Sequence, residues 1–413
     1  MRYLTVLFIS NLILTLNLFS QSGWFPQTSG TQNYLWSVDF VNSKVGWAVG
    51  DQGTIINTTN GGITWTFQTG GTTRRLTSVH FVDGNTGWAV GLSGTILKTI
   101  DGGSVWTPMA NDTTIYWFSV YFVDSDTGWV VGDLGEILKT DDGGISWIPQ
   151  TSGTTNQLAA VQFINSNTGW IVGDHGTIIN TTDGGMTWIL QNSGTQNYLT
   201  SVYFVDSDTG WAAGHFDTIV NTIDGGMTWT PQIIGTTGLL QSIYFVNSDT
   251  GWTVGYQGTI IKTANSGTTW TPQISGIITQ LAGVCFVDSD TGWVVGEWGK
   301  ILKTNTGGRI VGLENDEKIS PGKFKLEQNY PNPFNPTTAI KYELPVSGNV
   351  ELAIYNLLGQ KVRILINARQ SAGFHNVRWD GKDNTGREVT SGVYLYQLRT
   401  EHFMKSHKML LLR

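Results

Sequence analysis

The stretch Thr181-Thr182-Asp183-Gly184-Gly185-Met186-Thr187-Trp188 decides how the rest of the chain is read, because its closing tryptophan is one of a series. Trp65, Trp106, Trp147, Trp188, Trp229 and Trp270 follow one another at 41 residues, and Gly-Trp pairs ending at Trp47, Trp88, Trp129, Trp170, Trp211, Trp252 and Trp293 keep the same interval without insertion or deletion. A fixed period of this length marks a repeat architecture before any local assignment is made. Within a unit, short apolar runs alternate with turn residues. In the second unit the runs are Leu76 to Val82, Trp88 to Gly91, Thr95 to Thr99 and Val105 to Met109, separated by Asp83-Gly84-Asn85-Thr86-Gly87, Ser93-Gly94 and Asp101-Gly102-Gly103. Four strands in about 40 residues are the signature of a propeller blade.

Closure separates a propeller from a stacked solenoid. The seventh unit has three strands, Leu281 to Thr304, and Val311 where its tryptophan should stand. Counting back 41 residues from Trp65 reaches Trp24, in Gly23-Trp24-Phe25-Pro26-Gln27, which matches Ser146-Trp147-Ile148-Pro149-Gln150. The 287 residues from Trp24 to Ile310 equal seven periods, so the N-terminal strand completes the last blade and leaves no long open edge. With Trp24, the two series hold 14 of the 18 tryptophans, and many of the 52 glycines fall in the turns.

The quoted turn resembles the Asp-box found in sialidases, sortilin-type receptors, xyloglucan-cleaving propeller enzymes and photosystem II assembly-factor propellers. The preceding Gly-Trp-x-Val-Gly-x-x-Gly-x-Ile pattern resembles the assembly factors most, over all seven units. In physical terms Asp101, Asp142, Asp183 and Asp224 are turn acceptors, and Trp65, Trp106, Trp147, Trp188, Trp229 and Trp270 seal the hairpins. Asn60 and Asn265 replace the aspartate in two units, so an acceptor rather than a charge is required. Asp124-Ser125-Asp126-Thr127-Gly128 imitates a calcium loop, but the same places hold Asn165 and Asn167, or Asn42 and Lys44, in other units. No metal and no cofactor is expected.

Antiparallel strand order puts the second turn of each blade and the connection between blades on one face, where the units differ most. Candidate ligand-binding residues on this rim are Tyr34, Asp51, Arg75, Tyr116, Asp133, Asp174, His175, Tyr198, His215, Tyr256, Glu297 and Trp298. Aromatic, carboxylate and imidazole groups of this kind suit a sugar or a peptide. Sialidase chemistry needs several arginines, and the propeller has Arg74, Arg75 and Arg309. A glycoside hydrolase using two of Asp51, Asp133, Asp174 and Glu297 is the alternative, without the long loops that build a cleft. No catalytic residue is assigned. Cys285, the sole cysteine, excludes a disulfide framework and reads as a small core residue.

Charge divides the chain. Residues 21–312 hold 9 Lys and Arg against 21 Asp and Glu, net −12, whereas 321–413 hold 13 against 7, net +6. The acidic ring argues against nucleic acid and lacks the arginine-rich patch that the assembly-factor resemblance implies. Residues 1–20, with Arg2 and the apolar run Leu4 to Phe19, read as a signal peptide. The expected organisation is this segment, a propeller over 21–312, a linker over 313–323 and a domain over 324–413. The fold expected is all-β: a seven-bladed propeller closed by its N-terminal strand, then an immunoglobulin-like sandwich.

Asn329-Tyr330-Pro331-Asn332-Pro333-Phe334-Asn335-Pro336-Thr337-Thr338, followed by Trp379-Asp380-Gly381 and Ser391-Gly392-Val393-Tyr394, resembles the type A sorting domain of the type IX secretion system. Flagellar hook-cap proteins carry a similar sandwich. The sorting resemblance implies a partner, the outer-membrane translocon, and a route through the periplasm to the outside or the outer cell surface of a diderm bacterium. The expectation is a monomeric, non-catalytic binding or adhesive module for an extracellular glycan or protein, with no membrane span in the mature chain.

Overall fold

The structure, a computed structural model, describes residues 23–109, 114–232, 234, 238–310, 324–346, 348–370, 373–401 and 403–412. The expected signal segment 1–20 and linker 313–323 lie outside them. The chain divides into two compact units, Met1–Leu313 and Glu314–Arg413. No helix among the described residues is long and apolar enough to cross a membrane.

The first unit is a propeller of seven four-stranded antiparallel sheets. Blade 1 consists of Leu35–Phe40, Gly46–Gly50, Ile55–Thr58 and Thr66–Gln68, and the others repeat it. Inner strands bury their first, fourth and sixth residues, as in Leu76, Val79 and Phe81, while every residue of the second strand Gly87–Gly91 is buried. The first blade's inner strand packs against those of blades 2 and 7. Blade 7 is completed by Phe25–Gln27, paired with the third strand through Phe25↔Lys303, Pro26↔Leu302 and Gln27↔Ile301. The ring therefore closes as the repeat arithmetic requires.

Aromatic residues join the blades. Phe81 lies flat on Trp47 of the preceding blade, ring centroids 3.5 Å apart, and meets Trp106 of its own blade edge-on at 5.8 Å. Phe40 repeats this between Trp293 and Trp65, which carries the stack across the closure. A Cβ at Gly87 would enter the Phe81 ring, so the glycine of each Gly-Trp pair is required by space. Trp47 Nε1 donates to the carbonyl of Gly102 in the next blade at 3.0 Å, and Trp293 Nε1 does the same to Gly61 across the closure at 3.2 Å.

The quoted turn is an acceptor site, as its Asn variants imply. The Thr181 hydroxyl donates to Asp183 Oδ1 and receives the Gly185 N–H, and Asp183 Oδ1 receives the Thr187 N–H at 2.9 Å. Asn60 Oδ1 takes the Thr64 N–H at 3.0 Å in the same way. Hydrogen bonds from Thr187, hydroxyl first, hold the Asp183 carboxyl at about 2.

These tryptophans do more than seal their own hairpins. Trp106 Nε1 donates to Gln68 Oε1 of the preceding blade, and Gln68 Nε2 donates to Gly102 O. Gln27, Gln150, Gln191, Gln232 and Gln273 make the same bridge to their neighbours. In blade 2 the position is Met109, and among the described residues the buried Trp147 Nε1 has no hydrogen-bond partner. Met109→Gln is expected to supply that acceptor and stabilise the ring by about 1 kcal/mol, raising its melting temperature by roughly 2–4 °C. An unchanged or lower melting point in differential scanning calorimetry would contradict the bridge.

The second unit is a sandwich. Lys325–Leu326, Thr338–Leu344 and Gly373–Trp379 form one sheet; Lys361–Gln370, Gly348–Tyr355, Gly392–Arg399 and Met404–Leu411 form the other. Leu326, Ile340, Leu352, Trp379, Tyr396 and Leu411 lie in its core. The Pro-rich motif is a clasp on this core. Phe334 is buried, Asn329 Nδ2 donates to Thr338 Oγ1 at 2.9 Å, and Asn332 Oδ1 receives the Leu410 N–H at 2.9 Å.

Candidate functional site

The rim is built from one backbone device used seven times. The first residue of each second turn sends its N–H to the carbonyl of the residue just before an inner strand: Asp51 to Tyr34, Leu92 to Arg75, Asp133 to Tyr116, Asp174 to Gln157, His215 to Tyr198, Tyr256 to Leu239 and Glu297 to Gln280, all at 2.8–3.0 Å. The two variable positions of each unit are thereby fastened side by side.

The next residue of every one of these turns is left-handed. Gln52, Ser93, Leu134, His175, Phe216, Gln257 and Trp298 have φ between 54° and 59°, and none is glycine. A non-glycine residue in this region costs about 1 kcal/mol, more when bulky. Leu134, Phe216 and Trp298 are 66%, 75% and 59% exposed, so burial does not offset that cost. The turns thus raise a crown of side chains from the face.

Two groups of candidate residues come together. In the first, Tyr34 stacks on Trp36 at 3.9 Å, Trp36 Nε1 donates to Asp51 Oδ1 at 2.9 Å, and Arg75 Nε reaches the same oxygen at 2.5 Å. The Arg75 guanidinium also lies over the Trp36 ring, 4.7 Å from its centroid. The Tyr34 hydroxyl is shut off from solvent and has no hydrogen-bond partner among the described residues. Burial, with the Glu297 and Asp51 carboxylates next, pushes that phenol well above its ordinary range.

In the second group, Gln157 Nε2 donates to Tyr198 Oη at 3.0 Å, Tyr198 meets His215 edge-on at 5.0 Å, and His175 Nδ1 lies 3.1 Å from Asp174 Oδ2. Burial, with Asp174 and Asp133 adding to it, pushes the Tyr198 phenol up to about 12. Burial also lowers His215 and raises Asp133. A cleft of 460 Å³ runs beside His175, lined by Thr154, Asn156, Thr177, Leu190 and Gln196 among others. Tyr116, Tyr256 and Trp298 are exposed and make no ring contact or side-chain hydrogen bond with either group among the described residues.

Trp36, Leu134 and Phe216 were not among the sequence candidates. Trp36 was detectable as one of the four tryptophans outside the two repeat series, on an inner strand where the other units have Thr77, Phe118, Ala159, Thr200, Gln241 and Ala282. A separate polar set, the fifth residue of each inner strand, is structural. Asp39 Oδ2 accepts the Phe81 N–H of the next blade at 2.7 Å, and Gln162 Oε1 accepts that of Phe204. Cys285 belongs to this set, is 3% exposed, and burial pushes its thiol up and away from thiolate chemistry.

The sequence model described as Photosynthesis system II assembly factor YCF48 matches overlapping stretches 16–114, 71–149, 109–190, 148–235 and 189–275, and the FlgD Ig-like domain matches 335–402. No curated protein matches the chain. Among solved structures, YCF48 bound to D1 peptide is 21% identical over 69% of this chain and 95% of that one, TM-score 0.60. YCF48 from Cyanidioschyzon merolae is 20% identical over 68% and 98%, TM-score 0.60. PorZ, a bacterial surface component of the type-IX secretion system of Porphyromonas gingivalis, is 13% identical over 94% of this chain and 60% of that one, TM-score 0.55. At these identities the likenesses establish the fold.

Proposed function

The chain belongs, through its propeller, to the photosynthesis system II assembly factor YCF48 family, and from that premise we propose that the ring is a non-catalytic binding module that takes an extended segment of another protein across its variable rim. The observation that carries this reading is the left-handed crown. Seven turns keep a side chain where glycine would be cheaper, and the bulkiest of these side chains stand in solvent. Strain held without packing in return is a mark of function. The similar propeller bound to D1 peptide supports a peptide as the ligand class. Hydrolysis by rim carboxylates has less support, since Asp51 is held by both Arg75 and Trp36. The reading is tested by replacing Leu134, Phe216 and Trp298 with glycine, which should remove peptide binding and leave the ring folded.

The immunoglobulin-like unit serves, in this reading, as a type IX sorting domain, and the propeller works outside the cell or on its outer surface. The similar PorZ structure, whose own name places that protein at a bacterial surface, supports the assignment. In a bacterium with a type IX system, the chain lacking 324–413 is expected to stay in the periplasm while the full chain reaches the surface or medium. Equal export of both would overturn the assignment.

A further inference from the structure

The ring contains its own example of what fits between two blades at the rim. At the seam of blades 1 and 2, Asp51 from the second turn of one blade faces Arg75, which stands just before the inner strand of the next. The guanidinium is paired with the carboxylate and rests on an indole, the arrangement that favours a planar cation most. The same two places recur at every seam. At three more of them the turn packs against the next blade's inner strand, supplies a carboxylate and has an uncharged residue at the place of Arg75: Tyr34 for Glu297, Gln157 for Asp133, and Tyr198 for Asp174.

These three carboxylates are half-buried, and among the described residues neither Glu297 nor Asp133 has a cationic partner. Among the described residues the Glu297 carboxylate receives only the Gln280 N–H, at 3.3 Å. Beside it the Tyr34 hydroxyl is enclosed and, among the described residues, unpaired, so the seam holds a carboxylate and a phenol and no cation. An aromatic component is also in place at two of them: Tyr34 stacked on Trp36 at the Glu297 seam, and Tyr198 against His215 at the Asp174 seam. Trp298 stands exposed immediately after Glu297.

We propose that these seams are sockets for the cationic side chains of a partner, so that the segment lying across the rim is a basic one, its arginines or lysines taking at Glu297, Asp133 and Asp174 the place that Arg75 takes at Asp51. This rests on the peptide-binding reading above and names the chemistry of the peptide. The spacing of the sockets selects a segment with several separated cations rather than a single one. Arg75 closes the fourth socket from within.

The test uses the full chain and three fluorescein-labelled peptides on one Gly-Ser scaffold, bearing three arginines, three citrullines or three glutamates, read by fluorescence anisotropy. The arginine peptide is expected to bind about tenfold or more tighter than the citrulline peptide, and to lose about five- to tenfold with Glu297→Gln or Asp133→Asn. Arg75→Gln should gain affinity, because it opens the fourth socket. Equal binding of arginine and citrulline peptides, or no effect of both carboxylate variants, would overturn the proposal. Binding of the glutamate or citrulline peptide alone, lost on glycine substitution of the crown, would overturn the cationic socket and leave the peptide-binding rim standing. No binding of any of the three, nor of any peptide selected on the chain from a random library, would remove both.

Discussion

A chain lacking residues 21–28 is expected to melt about 10 °C or more below the parent. Those residues carry the whole outer strand of blade 7, Phe25–Gln27. They also carry Trp24, which is 0% exposed, donates its Nε1 to Gln273 Oε1 at 2.9 Å and meets Phe286 edge-on at 5.9 Å. Loss of a buried tryptophan alone costs about 3–5 kcal/mol, and each kcal/mol moves the melting point of a domain of this size by roughly 2–4 °C. Opening the third strand of blade 7 adds to that, and so does loss of the Gln27 bridge to Gly61 and Trp65 across the closure. Trp24→Ala in the intact chain should give a large part of the effect, since it removes the side chain and leaves the strand. Melting is followed by intrinsic tryptophan fluorescence. An unchanged curve for the deletion would refute the shared blade.

The ring was legible because its information is periodic. The two tryptophan series fix the unit, and Trp24 fixes the closure, with no knowledge of any contact. The exchange of Asp183 for Asn60 or Asn265 at one turn position even indicated the chemistry of the turn, which the hydrogen bonds to Thr187 and Thr64 reproduce. What one unit does to the next was not legible. Phe81 stacks on Trp47 and Gln68 bridges to Trp106 because blades are wedged together at a fixed angle, and nothing in a local pattern states that angle.

The site suffered more from the same gap. Tyr34, Trp36, Asp51 and Arg75 meet at the seam of blades 1 and 2, and Glu297 joins them only where the two ends of the repeat array meet, so the grouping depends on closure as well as on register. The left-handed turns were hidden for a different reason. Turn residues are recognised by glycine and asparagine, whereas Leu134, Phe216 and Trp298 give no local signal of positive φ. Their conformation is imposed by the strands on either side.

The second large effect is expected at that crown, and it runs in opposite directions for stability and for binding. Glycine at Leu134, Phe216 and Trp298 relieves about 1 kcal/mol of backbone strain at each site and gives back roughly 0.5–1 kcal/mol through the freer unfolded chain. Because these side chains are exposed, little packing is lost. The triple variant should therefore be as stable as the parent or up to several degrees more stable. Binding should collapse, because apolar and aromatic anchors at the centre of an interface contribute about 2 kcal/mol or more each. Three of them together correspond to a loss beyond about 100-fold.

The rim, in this reading, keeps strained side chains for a ligand. The most direct test is the paired measurement of melting temperature and peptide affinity for the full chain and for its Leu134→Gly, Phe216→Gly, Trp298→Gly variant, using peptides selected on the parent. A melting temperature equal to or above that of the parent and an affinity more than about 100-fold weaker are expected. A variant that melts lower, or that binds the same peptides as tightly as the parent, would contradict it.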